Sequence, residues 1–371
     1  MTETNTSPGT SPGIAPGAGS SMVAAPPRAG RDLRPDPAPD PQGGRHRAGP
    51  RRVLAAVGVQ NVSLLIALAL LATFVSLRNP NFLYASNIAT IGTTVSIVGV
   101  LAVAQTVMML LGGLDISVGS QAGLASVVCA MVFTTTGSAL AGIAAAVASG
   151  FATGLLNGQI VIQGRVNAVI ATLATFAAYR GLANLLSGGR AQGYTGASQA
   201  FVFLARGQLL GIPVLIWIFL AVAVAAQLVL HTTVVGRNIY AVGGNAVASR
   251  LAGIPLNRYI AGTYVMCGLA AAIAGVLLTA RTGSGQPTSG SQGLELQSIT
   301  AAALGGCALQ GGKGTVVGTV LAVVLLGVLA NGLVILDVNS FWQDIAQGAL
   351  LVIAVVVQQR RGGTRGVGLP G

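Results

Sequence analysis

Acidic residues are nearly missing from most of this chain. Past residue 52 only Asp115, Glu295, Asp337 and Asp344 remain, and charged residues of both signs make up 8% of the 371 positions. A soluble chain carries roughly a quarter, so a water-exposed globular surface is excluded. Cysteine is as sparse. Cys129, Cys267 and Cys307 all lie in apolar runs without metal-ligand spacing, which excludes a disulfide framework and reads as small packing residues. His46 in a basic tail and His231 at the end of an apolar run have no partner constellation, so no metal site is expected. The phosphate-cradling pattern Gly-x-x-x-x-Gly-Lys-Ser/Thr is absent; Gly311-Gly312-Lys313-Gly314 lacks its spacing and its hydroxyl. No nucleophile–base pairing is visible either. The chain itself is therefore expected to be no enzyme and to need no cofactor.

What the chain has instead is apolar length. Hydrophobic residues make up 53%, mean hydropathy is +0.75, and several uncharged runs approach or exceed the ~20 residues that carry a helix across the hydrocarbon layer. The runs are continuous, without the period-two alternation of a membrane barrel. Apolar spans are read at 53–77, 88–112, 118–137, 139–162, 166–186, 211–231, 259–280, 297–310, 314–336 and 341–358. The expected fold is thus an all-α integral membrane protein of about ten transmembrane helices, with the 297–310 span too short to cross alone as a straight helix.

The net charge of +12 is explained by the bilayer and not by nucleic acid, because membrane proteins keep Lys and Arg on cytosolic loops. With both termini cytosolic, fifteen basic residues fall inside, seven of them before residue 53 and then Arg165, Arg237, Arg250, Arg258, Lys313, Arg360, Arg361 and Arg365. Four fall outside, Arg78, Arg190, Arg206 and Arg281, and Arg180 lies within a span. An odd number of spans would carry one terminus and its arginines outside. Residues 1–50 hold ten of the fifteen prolines and are expected to be a disordered cytosolic tail. They lack the apolar core of a signal peptide, and their basic end, 45–52, suits the anionic inner leaflet. A transmembrane domain at 51–360 with a cytosolic loop at 234–257 follows, then a short cytosolic tail at 361–371.

Helices associate in lipid by close packing of small residues. Gly142, Ala146, Gly150, Gly154 and Gly158 repeat at i, i+4 and form one smooth stripe for a neighbouring helix. Gly119–Gly123 and Gly314–Gly318 repeat the spacing, although glycine is also simply common in membrane helices. The segment Gly112-Gly113-Leu114-Asp115-Ile116-Ser117-Val118-Gly119-Ser120 interrupts an apolar run with an acid and two serines. A carboxylate near membrane depth is costly, so such a break lines a cavity or is paired. A second glycine-rich break, 305–314, lies in the carboxy-terminal half, and breaks in both halves point to a transport pathway.

Between spans six and seven runs Gly236-Arg237-Asn238-Ile239-Tyr240-Ala241-Val242-Gly243-Gly244-Asn245, basic and without an acid. Residues 246–251 suit a short helix closed by Gly253, with Pro255 forbidding continuation. Such a helix offers a docking surface for a soluble partner; an ordinary basic inside loop is the alternative. Here the sequence resembles the permease subunits of ribose/xylose/galactose-type ABC importers over nearly everything after residue 80. The shared motifs are residues 112–120, residues 236–245 with Ala248, Arg250-Leu251 and Gly253-Ile254, and Arg281-Thr-Gly-Ser-Gly-Gln-Pro-Thr288 with Glu295. Leu304-Gly305-Gly306, Gly311-Gly312, Gly314-Thr315, Asn331-Gly332 and Phe341-Trp342-Gln343 follow in family order.

The resemblance implies a bacterial plasma-membrane protein that pairs with a second permease copy, with ABC ATPase subunits and with an extracytoplasmic sugar-binding protein. It makes Gly236, Arg237, Gly243, Gly244, Asn245, Arg250, Leu251 and Gly253 the ATPase-coupling loop. Family members often carry two acids where this chain has Ala246-Val247, so ionic contact from those positions is absent, leaving Arg237, Arg250 and shape. A hydroxyl-rich solute needs amides and hydroxyls along its path. The candidates are Gln105, Asp115, Ser117, Asn157, Asn167, Thr172, Gln286 and Glu295, each of which could equally be an interhelical hydrogen bond or a cap. Two other functions stay open: a branched-chain amino acid ABC permease, and a proton-coupled carrier, for which Asp115 is the one good proton site.

Overall fold

A computed structural model describes residues 59–194, 198–339 and 341–362. The expected tail at 1–50 and its basic end lie outside the described residues, as do the last nine. Thirteen α-helices run through the described part: α1 Val59–Arg78, α2 Ala85–Leu111, α3 Val118–Thr136, α4 Ala139–Gln163, α5 Ala168–Ser187, α6 Gln199–Arg206, α7 Val214–Thr232, α8 Val234–Gly244, α9 Ala246–Leu251, α10 Leu256–Thr282, α11 Leu294–Leu304, α12 Val316–Ile335 and α13 Phe341–Gly362. The only strands among them are two-residue pairs: Gln192–Gly193 with Ser284–Gly285, and Gln208–Leu209 with Ile212–Pro213.

Eight helices (α1–α5, α7, α10 and α12) are long and apolar enough to cross a membrane, and α13 carries a shorter apolar stretch. The span expected at 297–310 is instead α11, of 11 residues. At 1.5 Å per residue it reaches about half of the ~30 Å hydrocarbon layer. The chain before it, 283–293, is not helical.

Helix α2 is the axis of the bundle. It is apolar on every side, which fits a helix surrounded by others, and α7, α8, α10, α11 and α12 all pack on it. Helix α4 packs on α10 and α3 through its small-residue stripe, whose five members are all buried. A β-carbon on Gly142 would lie 2.7 Å from the Cys129 carbonyl oxygen, and one on Gly154 2.5 Å from that of Tyr264. Backbone meets backbone along this seam. Leu65, Ile66, Leu70 and Phe74 of α1, Ile170 and Leu185 of α5, and Val224 and Leu228 of α7 remain exposed. Exposed apolar faces of this kind suit contact with lipid or with another membrane helix.

Candidate functional site

Helix α2 ends at Gly112, whose φ of 89° lies in the left-handed region that a side chain disfavours. Gly113 N–H donates to the Met108 carbonyl at 3.0 Å, and the chain doubles back beside the helix it has left. Gln105 Nε2 then donates to the Asp115 carbonyl at 2.8 Å, so the broken segment is stitched to α2 above its end.

The carboxylate of Asp115 is fully buried and well supplied with donors. Its Oδ1 accepts from Ser117 N at 2.9 Å and from Ser117 Oγ at 2.6 Å; its Oδ2 accepts from Gln121 Nε2 at 3.3 Å. Ser117 Oγ in turn accepts from Gln121 Nε2 at 2.7 Å and Asn157 Nδ2 at 2.8 Å. Thr153 Oγ1 donates to Gln121 Oε1 at 2.9 Å, and Tyr179 OH is 2.9 Å from Asn157 Oδ1. Three helices, α3, α4 and α5, are joined through this one cluster at the start of α3, where the helix dipole favours negative charge.

The second acid sits at a matching break. After α10 the chain runs back along α3 in the opposite direction. Gly285 lies against Ser126, Val127 and Ala130, then Pro287 and Ser291 against Gly123, then Glu295 against Gly119. Gln286 N–H donates to Ser126 Oγ at 3.0 Å. Helix α11 begins where this segment ends, with Glu295 in its first turn. The amino-terminal ends of two broken helices, α3 and α11, therefore meet, and each carries one of the few acids. Discontinuous helices whose positive ends face a common point are a recurrent means of building a solute site inside a bilayer.

Of the pathway candidates, Gln105, Asp115, Ser117 and Asn157 come together in the first cluster and Glu295 lies beside it at Gly119. Three do not join them. Asn167 is exposed and caps α5, accepting from Val169 N at 2.9 Å. Thr172 back-bonds to the Ala168 carbonyl. Gln286 is held within its own loop by Ser284 and Ser289. Sequence reasoning missed Gln121, Thr153, Tyr179 and Arg180 as site residues. Arg180 left a readable signal, a cation inside an apolar span, which membrane energetics marks as functional by default. Four buried side-chain atoms have no hydrogen-bond partner among the described residues: Gln105 Oε1, Arg180 Nη2, Tyr264 OH and Glu295 Oε2.

The residues expected in a coupling loop form a second locus. The stretch from Gly236 to Gly244 is helix α8 and not an open loop, capped by Thr233, while Asn245 caps α9 by accepting from Ala248 N at 3.0 Å. The predicted helix at 246–251 is α9. Arg237, Arg250 and Leu251 are exposed. Gly253, with φ 80°, closes the turn, and Ile254 N–H reaches the Ser249 carbonyl. Three glycine pairs distant in sequence converge here. Gly243 packs on Leu110 and Gly312, Gly311 on Gly112, and Gly312 on Gly244. Gly312 N–H donates to the Leu110 carbonyl at 2.9 Å, and Tyr240 OH donates to the Gly314 carbonyl at 2.9 Å. Burial pushes the Tyr240 hydroxyl above its ordinary pKa, so it remains a donor at physiological pH.

Comparison with known proteins agrees with this architecture. Residues 87–355 match the family described as branched-chain amino acid transport system / permease component. The ribose import permease protein RbsC of Escherichia coli (strain K12) is 40% identical over 313 residues, which is 84% of this chain and 97% of that one. RbsC of Bacillus subtilis (strain 168) is 36% identical over 82% of this chain and 94% of its own. The L-arabinose ABC transporter permease protein AraH of Azospirillum brasilense is 36% identical over 85% and 91%. No solved structure matches the chain.

Proposed function

The chain belongs to the branched-chain amino acid transport system / permease component family, and from that premise we propose that it is the transmembrane permease subunit of an ATP-driven ABC importer of a monosaccharide, a pentose such as ribose or xylose. The observation that carries the sugar is the similarity to ribose and arabinose permeases, 36–40% identical over most of both chains. The buried amides and hydroxyls around Asp115 support the same chemistry. ATP hydrolysis belongs to a separate nucleotide-binding subunit, and an extracytoplasmic binding protein delivers the sugar.

In this reading both termini are cytosolic and ten crossings are completed by α13 and by the extended 283–293 segment acting together with α11. Residues 1–50 and 361–371 are cytosolic tails flanking the 51–360 domain. A second permease copy, identical or paralogous, completes the translocation unit. The ATPase rests on α9: Arg237, Gly244, Asn245, Arg250 and Leu251 offer exposed surface, Gly253 closes the turn, and Gly236 and Gly243 pack beneath them against Leu230 and Leu110. The glycine junction ties α8 to the Gly112 break and to Gly311 and Gly312 after α11, so ATP-driven movement of the loop has a direct mechanical route to Gly112 and on to Asp115. Nucleotide binding then biases inward- and outward-open arrangements through differential contacts. Gln105, Ser117, Asn157 and Glu295 are the proposed pathway residues beside Asp115.

The family description favours one other solute, a branched-chain amino acid. Uptake of labelled pentose and labelled leucine in a deletion strain complemented with this chain decides between them: pentose uptake is expected, and leucine uptake alone would overturn the sugar. Asp115, the candidate proton site of a carrier, is held in place by three donors. Removal of the partner ATPase is expected to abolish uptake, which a carrier would survive.

A further inference from the structure

We propose that Arg180 and Glu295 form a contact site for sugar hydroxyls where α11 begins, the guanidinium donating and the carboxylate accepting; this rests on the sugar-permease reading above.

Each of the two charges has one arm occupied and one arm free. Glu295 is 7% exposed. Its Oε1 accepts from Gly293 N at 3.2 Å, whereas its Oε2 lies over the bare backbone of Gly119 with no partner. Arg180, half-buried on α5, sets its guanidinium carbon 5.2 Å from the centre of the Phe176 ring. Its Nη1 lies 3.3 Å from Ser291 Oγ and 3.5 Å from the Thr288 carbonyl, while its Nη2 has no partner.

No hydrogen bond joins the two groups. A direct ion pair would satisfy both free arms. Instead the 288–293 loop anchors each group separately, Arg180 through Thr288 and Ser291 and Glu295 through Gly293, and leaves one donor and one acceptor unmet. Leaving a buried polar atom unmet is costly, more so when it is charged, and polar groups of this kind inside membrane segments mark solute pathways. A vicinal diol supplies what is lacking: one hydroxyl oxygen accepts from Nη2 and a neighbouring hydroxyl donates to Oε2. Holding both groups in place beforehand lowers the ordering cost of that contact.

The test uses the full complex, permease with ATPase and binding protein, in proteoliposomes, reading labelled ribose imported per ATP hydrolysed. Arg180→Gln and Glu295→Gln are each expected to lower that ratio about tenfold. Arg180→Lys keeps the charge but loses the second arm; it is expected to lower the ratio too, and serves if the glutamine variant folds poorly. An unchanged ratio in these variants overturns the proposal. So does recovery of the wild-type ratio in the double exchange Arg180→Glu with Glu295→Arg, because the residues would then be serving each other and not the sugar. If the wild-type complex imports leucine and no pentose, the sugar reading falls and this site's hydroxyl chemistry falls with it; failure in the variants alone leaves that reading standing.

Discussion

The β-carbon that Gly150 lacks would fall against the Gly268 carbonyl oxygen and 2.7 Å from Cβ of Ala272. Both obstacles are fixed features of α10, backbone and a β-carbon, so neither can swing aside. Overpacking a well-filled interior typically costs about 1–3 kcal/mol, and at this seam the strain spreads along the backbones of two long helices. Gly150→Leu is therefore expected to lower the thermal unfolding temperature in detergent and the yield of folded protein. An unchanged melting curve would refute the packing role. Asp115 illustrates the opposite economy at the same scale. Its fully buried carboxyl group is met by three donors and a helix amino terminus, and those donors came from Ser117 and Gln121 on its own segment.

At the scale of elements, α9 is the surface we propose for ATPase docking. Val247 and Leu251 are four residues apart and so share a face; they are 72% and 85% exposed, with Arg250 beside them. The adjoining helix α8 is fastened beneath through Gly243 and Tyr240. Neighbouring glycines therefore have different tasks. A β-carbon on Gly244 meets nothing within 4 Å, whereas one on Gly243 would run into the Leu110 carbonyl and lie 2.7 Å from Gly312 N. Gly244→Arg is expected to insert and fold normally while losing ATPase co-purification and stimulation. Gly243→Ala is expected to reduce folded yield. Normal co-purification and stimulation in Gly244→Arg would remove the docking role.

For the whole molecule the open question is direction across the bilayer. From the charge bias of fifteen basic residues against four we propose that α9 lies in the cytosol and α6 outside. The native cysteines are all buried, so introduced ones can be read against a low background. With an impermeant maleimide, Arg206→Cys is expected to label in intact cells and Leu251→Cys only after permeabilisation. Labelling of Leu251→Cys from outside would invert the topology.

The membrane class, most helices and the α4 stripe were legible in the sequence by itself, because hydrocarbon demands long uncharged runs and because small residues at i, i+4 place a smooth face on one side of a helix. Residues 246–251 were legible through their capping signals. Helix α11 was misjudged in its bounds, since apolarity continues past Leu304 while the backbone turns at Gly305 and Gly306. Only the tertiary structure decided which polar residues belong together. Asn157 and Asn167 are equally conspicuous in sequence, yet one is an interhelical bond and the other a cap. That Arg180 and Glu295, 115 positions apart, both bond to the 288–293 loop depends on the 283–293 segment folding back along α3. Local pattern cannot encode that return, because it is set by which glycine surface the chain finds to lie against.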